Sequence, residues 1–149
     1  MATQRDNPYG AFNFLVSLGT GDESSVIAGF SDASGLSTEI NYSEYRNGND
    51  RVNTVHKIAN TFKQEDVTLK RGLIGSTDLF QWVKDVREGH DGRRTVTITV
   101  LDEARNPVAS FKLINAQPKK WVGPTLAAKG GGEVAMEELH LVHEGIEYA

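Results

Sequence analysis

The stretch Arg94-Thr95-Val96-Thr97-Ile98-Thr99-Val100 decides the fold class of this chain. Its three aliphatic residues alternate strictly with three threonines, and a period of two places the two sets on opposite faces of a β-strand. One face therefore meets a hydrophobic core. The threonine face meets water, a neighbouring subunit or a channel, and these alternatives stay open at the level of this segment.

Similar alternation extends over most of the chain, which predicts a mainly β (α+β) protein. Further strands are predicted over residues 11–18, 25–30, 36–45, 64–70, 108–114 and 133–143. Turns are predicted at 19–22 and 32–35, and residues 115–128, with Pro118 and Pro124, are predicted to be irregular. In the last strand the apolar residues change parity, so a β-bulge is expected near Glu137 and Glu138.

One helix is predicted after residue 76. Ser76 or Thr77 can cap its first turn, and Asp78 suits the positive end of the helix dipole. Gly89 is placed to terminate it. The helix has one apolar stripe, formed by Leu79, Trp82, Val83 and Val86. Trp82 lies inside that stripe, so we expect it to fill the core, and we expect the helix to cover a face or an open end of the sheets.

Residues 46–61 lack strand alternation and contain many charged and polar side chains. Val52, Val55, Ala59 and Phe62 lie at i, i+3, i+7 and i+10, a spacing that allows a short helical stretch. A loop of this length is uncommon in a compact domain unless it has a function or is disordered. We therefore interpret it as an extended interaction loop rather than a passive linker.

Composition places the chain among soluble globular domains. Its 149 residues are enough for one domain, 1–149, with 38% hydrophobic and 24% charged residues. The net charge of −4 argues against nucleic acid as the main partner. The absence of cysteine excludes disulfides and favours synthesis in the cytosol. No apolar run predicts a signal peptide or a membrane anchor.

No constellation of residues indicates catalysis or metal binding, so the sequence predicts no catalytic residue, no metal site and no cofactor. His140 and His143 point to opposite faces of a strand because their spacing is odd. The triple glycine 130–132 is followed by a predicted strand, whereas a phosphate-binding loop precedes a helix. Two other functional classes are possible. One is a small-ligand-binding β-barrel, which needs a concave apolar pocket. The other is a hydrolase that uses the scattered carboxylates, but the spacing of these carboxylates gives it no support.

The order of short motifs along the chain resembles the tail tube protein family of contractile phages and phage-like contractile injection systems. The motifs are GFSDASGL at 29–36, EYRNG at 44–48, VTLKRG at 67–72, LFQW at 79–82, RR at 93–94, NAQPK at 115–119, GP at 123–124, EVAMEEL at 133–139 and HEG at 143–145. The resemblance covers nearly the whole chain. One departure is Ala116-Gln117 before Pro118, where an Ala-Trp pair is more usual, and it affects packing only.

The resemblance implies a β-sandwich or barrel-like subunit with one flanking α-helix. Six such subunits would form a ring, and rings would stack into a hollow inner tube that conveys DNA or a protein payload. The implied function is structural, not enzymatic. The implied partners are further copies of the chain, a contractile sheath protein, baseplate or hub and tube-cap proteins, and a payload or ruler protein in the lumen. Assembly would take place in the bacterial cytoplasm, within a phage tail or phage-like injection particle.

Two sets of surface residues are predicted. Contacts between subunits are expected in and beside the loop, at Tyr45, Arg46, Asn47, Asn49, Asp50, Arg51, Val52, Val55 and His56. The lumen is expected to be lined by Ser37, Glu39, Asn41, Thr95, Thr97, Thr99 and Ser110. The second set follows from alternation, because Ile40, Val96, Ile98, Val100 and Phe111 are expected to occupy the core.

Overall fold

A computed structural model describes residues 2–19, 29–49, 51, 54–130 and 133–149. The elements in chain order are β1 (Phe14–Ser17), β2 (Asp32–Ser34), β3 (Thr38–Tyr45), β4 (His56–Gln64), β5 (Val67–Gly72), α1 (Asp78–Arg87), β6 (Arg94–Leu101), β7 (Pro107–Val122), β8 (Met136–Val142) and β9 (Gly145–Tyr148). The predicted turn at 20–22 and the predicted strand residues 25–28 lie outside the described part. None of the described helices has the length and apolar content to span a membrane.

Seven strands form one antiparallel series, ordered β1-β6-β7-β8-β5-β2, with β9 pairing to β7. The long strand β7 belongs to two layers: residues 107–116 pair with β6 and β9, and residues 117–122 pair with β8. The backbone bends between the two halves at Asn115, which has a φ of 49°. The expected β-sandwich with one helix is confirmed.

The hydrophobic core lies between these two layers. Val16, Val96, Ile98 and Leu113 enter it from the layer of β1, β6 and β7. Val67, Leu69, Leu139 and Leu141 enter it from the layer of β5 and β8. The aliphatic face of the quoted strand is therefore the core face at Val96 and Ile98, as alternation predicts, because both are almost fully buried.

Helix α1 covers one end of the sandwich with the predicted stripe. Leu79 and Trp82 are buried, and the Trp82 indole donates to the carbonyl of Gly92 at 2.7 Å. Trp82 is therefore core, as predicted. Gly89 ends the helix with a φ of 94°, and the N–H groups of Gly89 and His90 donate to Val86 and Asp85. The predicted side-chain cap from Ser76 or Thr77 is wrong, because no side-chain cap bond forms and the Ser76 hydroxyl donates to Asp78 instead.

Three sequence predictions of local structure are wrong. Residues 115–122 are the second half of β7, not an irregular segment, and Pro118 is accommodated beside a bulge between Pro118 and Lys120. The bulge expected near Glu137-Glu138 is absent from the β5–β8 pairing, because Glu137 itself points inward with Leu139 and Leu141. Residues 32–34, predicted as a turn, form β2 against β5.

A buried ionic network joins three elements of the subunit. Arg71 on β5 is 3% exposed and Glu137 on β8 is 2% exposed, and their side chains form an ion pair at 2.5 Å. Arg71 also pairs with Asp78 at the start of α1. The Trp121 indole on β7 donates to the second oxygen of Glu137 at 3.0 Å. Each buried charge therefore has hydrogen-bonding partners, which burial requires.

The network shifts the ionisation of its members. Burial by itself lowers the pKa of Arg71, but hydrogen bonds to Asp78 and Glu137 outweigh burial and raise that pKa above its ordinary value. Burial by itself raises the pKa of Asp78, and the hydrogen bond from Arg71 reverses this and leaves the pKa lowered. A lowered folded-state pKa means that Asp78 stabilises the subunit at neutral pH. That contribution is lost as pH falls through the folded-state pKa.

We predict that Glu137→Leu destabilises the subunit severely, because it leaves the Arg71 guanidinium buried without its buried partner. The free energy of unfolding should fall by about 3–5 kcal/mol, measured by chemical denaturation of unassembled subunit. The double variant Arg71→Met/Glu137→Leu should recover most of the loss. Glu44→Gln, which breaks the exposed Lys57–Glu44 pair, is the control and should cost less than about 1 kcal/mol. Equal losses from Glu137→Leu and Glu44→Gln would contradict this account.

Candidate assembly interface

A projecting β-hairpin is the most exposed part of the subunit. Strands β3 and β4 form a separate two-stranded sheet, and every residue in them is exposed except Gln64 at the base. The hairpin prolongs the β2–β5 pair of the sandwich, since β2 leads into β3 and β4 leads into β5. The interpretation of 46–61 as a loop is therefore partly wrong: residues 56–61 are strand, and the described connection is limited to 46–49, 51, 54 and 55.

Glycine is required where the hairpin leaves the sandwich. Gly35 has a φ of 88°, and a Cβ atom there would lie 2.2 Å from the carbonyl oxygen of Asp66. Any other residue would meet both backbone strain and a steric clash. The backbones of Gly35 and Asp66 therefore approach each other closely at the base of the hairpin.

A bulge in β4 explains why the sequence obscured this strand. Ile40 pairs with Phe62, but Tyr42 pairs with Ala59, so β4 contains one extra residue between these pairs. The extra residue interrupts the period of two, so Ala59 and Phe62 lie three positions apart on the same face. That interval also fits a helix, but the predicted helical stretch is wrong at Ala59 and Phe62, because both lie in β4.

The two faces of the hairpin differ in polarity. The register of β3 and β4 places Ile40, Tyr42, Ala59 and Phe62 on one face, which we call the apolar hairpin face. Phe62 is 70% exposed, Tyr42 56% and Ile40 42%. The expectation that Ile40 lies in the core of the subunit is wrong. A two-stranded hairpin is only marginally stable in water, so an uncovered apolar face of this kind needs a partner surface.

The opposite face is polar and internally hydrogen-bonded. It carries Glu39, Asn41, Ser43, Asn60, Thr61 and Lys63. The Asn41 amide donates to the Thr61 hydroxyl at 3.2 Å, and the Asn60 amide donates to the Ser43 hydroxyl at 3.0 Å. These cross-strand bonds bridge the site of the bulge. Ile58 and Tyr45 are the large apolar side chains on this face, and they are 52% and 51% exposed.

The residues predicted to contact other subunits lie at the hairpin tip. The described ones are all exposed: Tyr45, Arg46, Asn47, Asn49, Arg51, Val55 and His56. The Tyr45 hydroxyl donates to the Asn47 side chain, so the start of the connection is ordered by a local bond. Asp50 and Val52 lie outside the described residues. Sequence analysis missed Ile40, Tyr42 and Phe62 as surface residues, although the alternation of Ile40 and Tyr42 with Glu39 and Asn41 was visible.

The residues predicted to line the lumen occupy two different sheets. Glu39 and Asn41 are on the polar face of the hairpin, and Ser37 immediately precedes it. The others lie on the outer face of the sandwich layer containing β6 and β7, where Thr99 pairs with Ser110. That outer face does not consist of hydroxyl side chains alone. Strand pairing also places an aliphatic and two charged side chains on it, together with one further serine: Leu15, Lys112, Glu147 and Ser17.

A groove of about 490 Å³ is lined by residues of β1, β2, β6 and β7 and by residues next to β1 and β2. Its apolar lining includes Phe14, Leu36, Ile98, Val100 and Phe111, and Asp32 and Lys70 contribute charge. A concave apolar surface of this size is what the small-ligand alternative requires. No cluster of catalytic groups lines it.

The described residues contain one side-chain group that could hold a cation. Asp85, Glu88 and His90 cluster at the end of α1, with their ligand atoms within 4.8 Å of one another. Glu88 and His90 are exposed, and the Nδ1 atom of His90 lies 3.3 Å from the Asp85 carbonyl. His140 and His143, whose spacing in the sequence argued against a shared metal, are not part of it. Exposed acidic groups of this kind are common without a metal.

Comparison with known families identifies the chain. The family model for the T4-like virus tail tube protein gp19 matches residues 10–147. This chain belongs to the T4-like virus tail tube protein family. The resemblance noted in the sequence is therefore confirmed, and the chain is a tail tube subunit. The family is one of structural tube proteins, and the small-ligand alternative receives no support from it.

Solved structures show the same fold. A chain of the sheath–tube complex of the extracellular contractile injection system PVC is 24% identical, with a TM-score of 0.82 over 95% of this chain and 91% of that chain. A chain of the anti-feeding prophage (AFP) baseplate is 25% identical, with a TM-score of 0.83 over 97% of both chains. Hcp1 from Flavobacterium johnsoniae is more distant, at 14% identity and a TM-score of 0.53 over 92% of this chain and 94% of that chain. A search of curated proteins finds no match.

We predict that Phe62→Ser leaves the tube subunit folded but weakens its self-association. Phe62 is largely exposed in the subunit, so the free energy of unfolding should change by less than about 0.5 kcal/mol. Loss of an apolar contact worth roughly 1.5–3 kcal/mol, repeated in every subunit, should prevent polymers from forming. Denaturation and sedimentation measure the two effects.

Phe12→Ser is the matched control, because Phe12 is 75% exposed and lies outside the hairpin. It should assemble like the unmodified chain. Polymers of normal yield from Phe62→Ser would show that the apolar hairpin face is not an interface.

Proposed function

We propose that this chain is the inner-tube subunit of a contractile tail or injection particle, and that it forms six-membered rings that stack around a hollow lumen. The observation that carries the proposal is the projecting hairpin with its uncovered apolar face on a tail-tube fold. In an isolated subunit the apolar hairpin face stays exposed to water. In a polymer, each subunit covers the apolar hairpin face of another and each face is removed from water.

Sixfold symmetry is supported by the structural relatives. The AFP baseplate that contains a similar chain was symmetrised sixfold. Identical subunits related by rotation close into a ring, and rings related by translation continue into a stack. Two distinct surfaces on each subunit are the physical requirement, because a contact between unlike surfaces propagates whereas a self-complementary contact ends at a dimer.

The relatives also suggest partners. Similar chains occur in a sheath–tube complex, a baseplate and a tube-terminating cap. We extend these partners to this chain: a contractile sheath protein outside the tube, baseplate or hub proteins at one end and a cap at the other. A payload or ruler protein would occupy the lumen. The role requires no catalytic step, and we place assembly in the bacterial cytoplasm.

Residues 1–149 act as one tail-tube domain in this proposal, with an interaction segment at 46–61 that comprises the connection at the hairpin tip and the first part of β4. The polar hairpin face and the outer face of β6 and β7 are assigned to the lumen. Small hydroxyl groups on these faces make the wall of the lumen hydrophilic, and they do not bind cargo strongly through charge. Thr97, Thr99 and Ser110 are half-buried, so neighbouring side chains would partly shield their hydroxyl groups in the wall of the lumen.

The first test of the proposed function is assembly itself. Purified chain, co-produced with its baseplate and sheath proteins, should give rings and tubes in negative-stain micrographs, with sixfold symmetry in end views. Mass measurement of isolated rings should give six times the subunit mass of 16.3 kDa. Monomers alone under all these conditions would refute the proposal.

A second prediction concerns the lumen. Thr97→Cys introduces the only thiol in a chain that has no cysteine. In assembled tubes this thiol should react with a small maleimide that diffuses through the bore, and it should resist a bulky one. Unassembled Thr97→Cys subunit is the control for intrinsic reactivity. Rapid labelling by both reagents along intact tubes would place Thr97 on the outside.

A further inference from the structure

The hairpin tip contains the one Asn-Gly pair of the sequence, Asn47-Gly48. Both residues are exposed, and they lie in the connection that follows β3. Tight turns favour these two residue types. The pair also has a chemical property that a turn does not use. The carboxamide of an asparagine lies within reach of the backbone nitrogen of the next residue, and a glycine there leaves that nitrogen unshielded by a side chain.

The backbone geometry of the tip does not require glycine at position 48. Gly48 is not one of the described glycines with a positive φ, and a Cβ atom there would meet no heavy atom of the described residues within 4 Å. Gly35 at the base of the same hairpin differs on both points. The fold would therefore accept alanine at position 48. What glycine provides there is an accessible backbone N–H group beside the Asn47 side chain.

Tyr45 activates the carboxamide of Asn47. The Tyr45 hydroxyl donates a hydrogen bond to Oδ1 of Asn47, which makes the attached Cγ atom more electrophilic. When a nucleophile adds to Cγ, negative charge develops on the same Oδ1 atom. A donor that is already in place stabilises that charge. The exposed guanidinium of Arg46 lies between these two residues in the chain and adds positive charge at the tip.

We propose that Asn47-Gly48 is a self-modification site, at which the unassembled subunit deamidates with the help of the Tyr45 hydroxyl. The Gly48 nitrogen loses its proton and forms a bond to Cγ of Asn47, an intramolecular step between neighbouring groups. The bond from Cγ to Nδ2 breaks, and Nδ2 takes up a proton and leaves as ammonia. Water opens the resulting succinimide ring at either carbonyl, which leaves aspartate or isoaspartate at position 47. The net change consumes one water and releases one ammonia.

The modification limits the time during which a free subunit can assemble. It replaces a neutral amide by a carboxylate beside Arg46, and isoaspartate also inserts a methylene group into the main chain of the tip. This consequence rests on the proposed function, which places segment 46–61 against other subunits. A tip packed against another subunit cannot rotate the Asn47 carboxamide onto the Gly48 nitrogen. Assembly therefore protects the site.

Incubation of purified, unassembled subunit tests the chemistry. Peptide mass spectrometry and an isoaspartate assay should show conversion at position 47, faster at higher pH because the Gly48 nitrogen must lose a proton. Two other exposed asparagines are internal controls that should stay unchanged. Asn60 lies within β4, and Asn106 precedes Pro107, which has no N–H group. No conversion at position 47, or equal conversion at all three positions, would overturn the inference.

Two conservative variants test the roles of the neighbouring residues. Tyr45→Phe removes only the hydroxyl and should slow the conversion at least roughly fivefold, the effect of one hydrogen bond on a rate. Gly48→Ala should slow it further, because a methyl group shields the attacking nitrogen. Tyr42→Phe is the matched control: it removes another exposed hydroxyl of the hairpin and should leave the rate unchanged. An unchanged rate in Tyr45→Phe or in Gly48→Ala would overturn the inference.

Assembled tubes test the protection. Position 47 should remain asparagine in tubes under conditions that convert the unassembled subunit. Asn47→Asp should give a folded subunit with a reduced yield of tubes, whereas Asn106→Asp, outside the hairpin, should assemble normally. Equal conversion in tubes and free subunits, or normal assembly of Asn47→Asp, would overturn the inference and leave the proposed function intact. Failure of the proposed function would differ, because the unmodified chain would then form no tubes, and the conversion in free subunits would still decide the chemistry.

Discussion

An isolated two-stranded hairpin cannot bury an apolar face, and this constraint governs the whole subunit. Strands β3 and β4 expose Ile40, Tyr42 and Phe62, and no third strand or helix of the described residues pairs with this hairpin. An isolated hairpin of this kind is only marginally stable in water, so a second molecule that covers its apolar face would stabilise it. The sandwich serves as the base that holds the ribbon, and Gly35 fixes the point at which it departs. The proposed assembly would cover this face.

The sandwich that carries the hairpin is held together by the buried ionic network. Arg71 and Glu137 join the adjacent strands β5 and β8, and Asp78 adds the helix to the same network. A buried ion pair adds little net stability, because desolvation offsets most of its attraction, but it penalises any arrangement that separates the charges. The network thus specifies how β5, β8 and α1 fit together. Strand β5 follows β4 directly and carries Arg71, so the network anchors the strand from which the hairpin departs.

Several elements could be predicted because their signals are local. The Arg94–Leu101 strand, the stripe of α1 and the termination at Gly89 each follow from residues close in sequence. Strand β4 could not be predicted, because its bulge converts a period of two into helix-like spacing. The second half of β7 could not be predicted either, since Pro118 is tolerated only through the bulge beside it. The burial of Glu137 could not be predicted, because its partner Arg71 lies 66 positions away in the sequence.

The sequence by itself determined the class of fold, the family and the absence of disulfides, because alternation, ordered motifs and composition are properties of the chain alone. It also identified the region around residues 46–61 as unusual, although not as the end of a hairpin. Only the tertiary structure decided which apolar residues are core and which are surface. Ile40 and Ile98 have the same alternating context, yet one is 42% exposed and the other 2%. The physical reason is that a strand buries its apolar face only where a second layer packs on it, and that depends on contacts between residues distant in sequence.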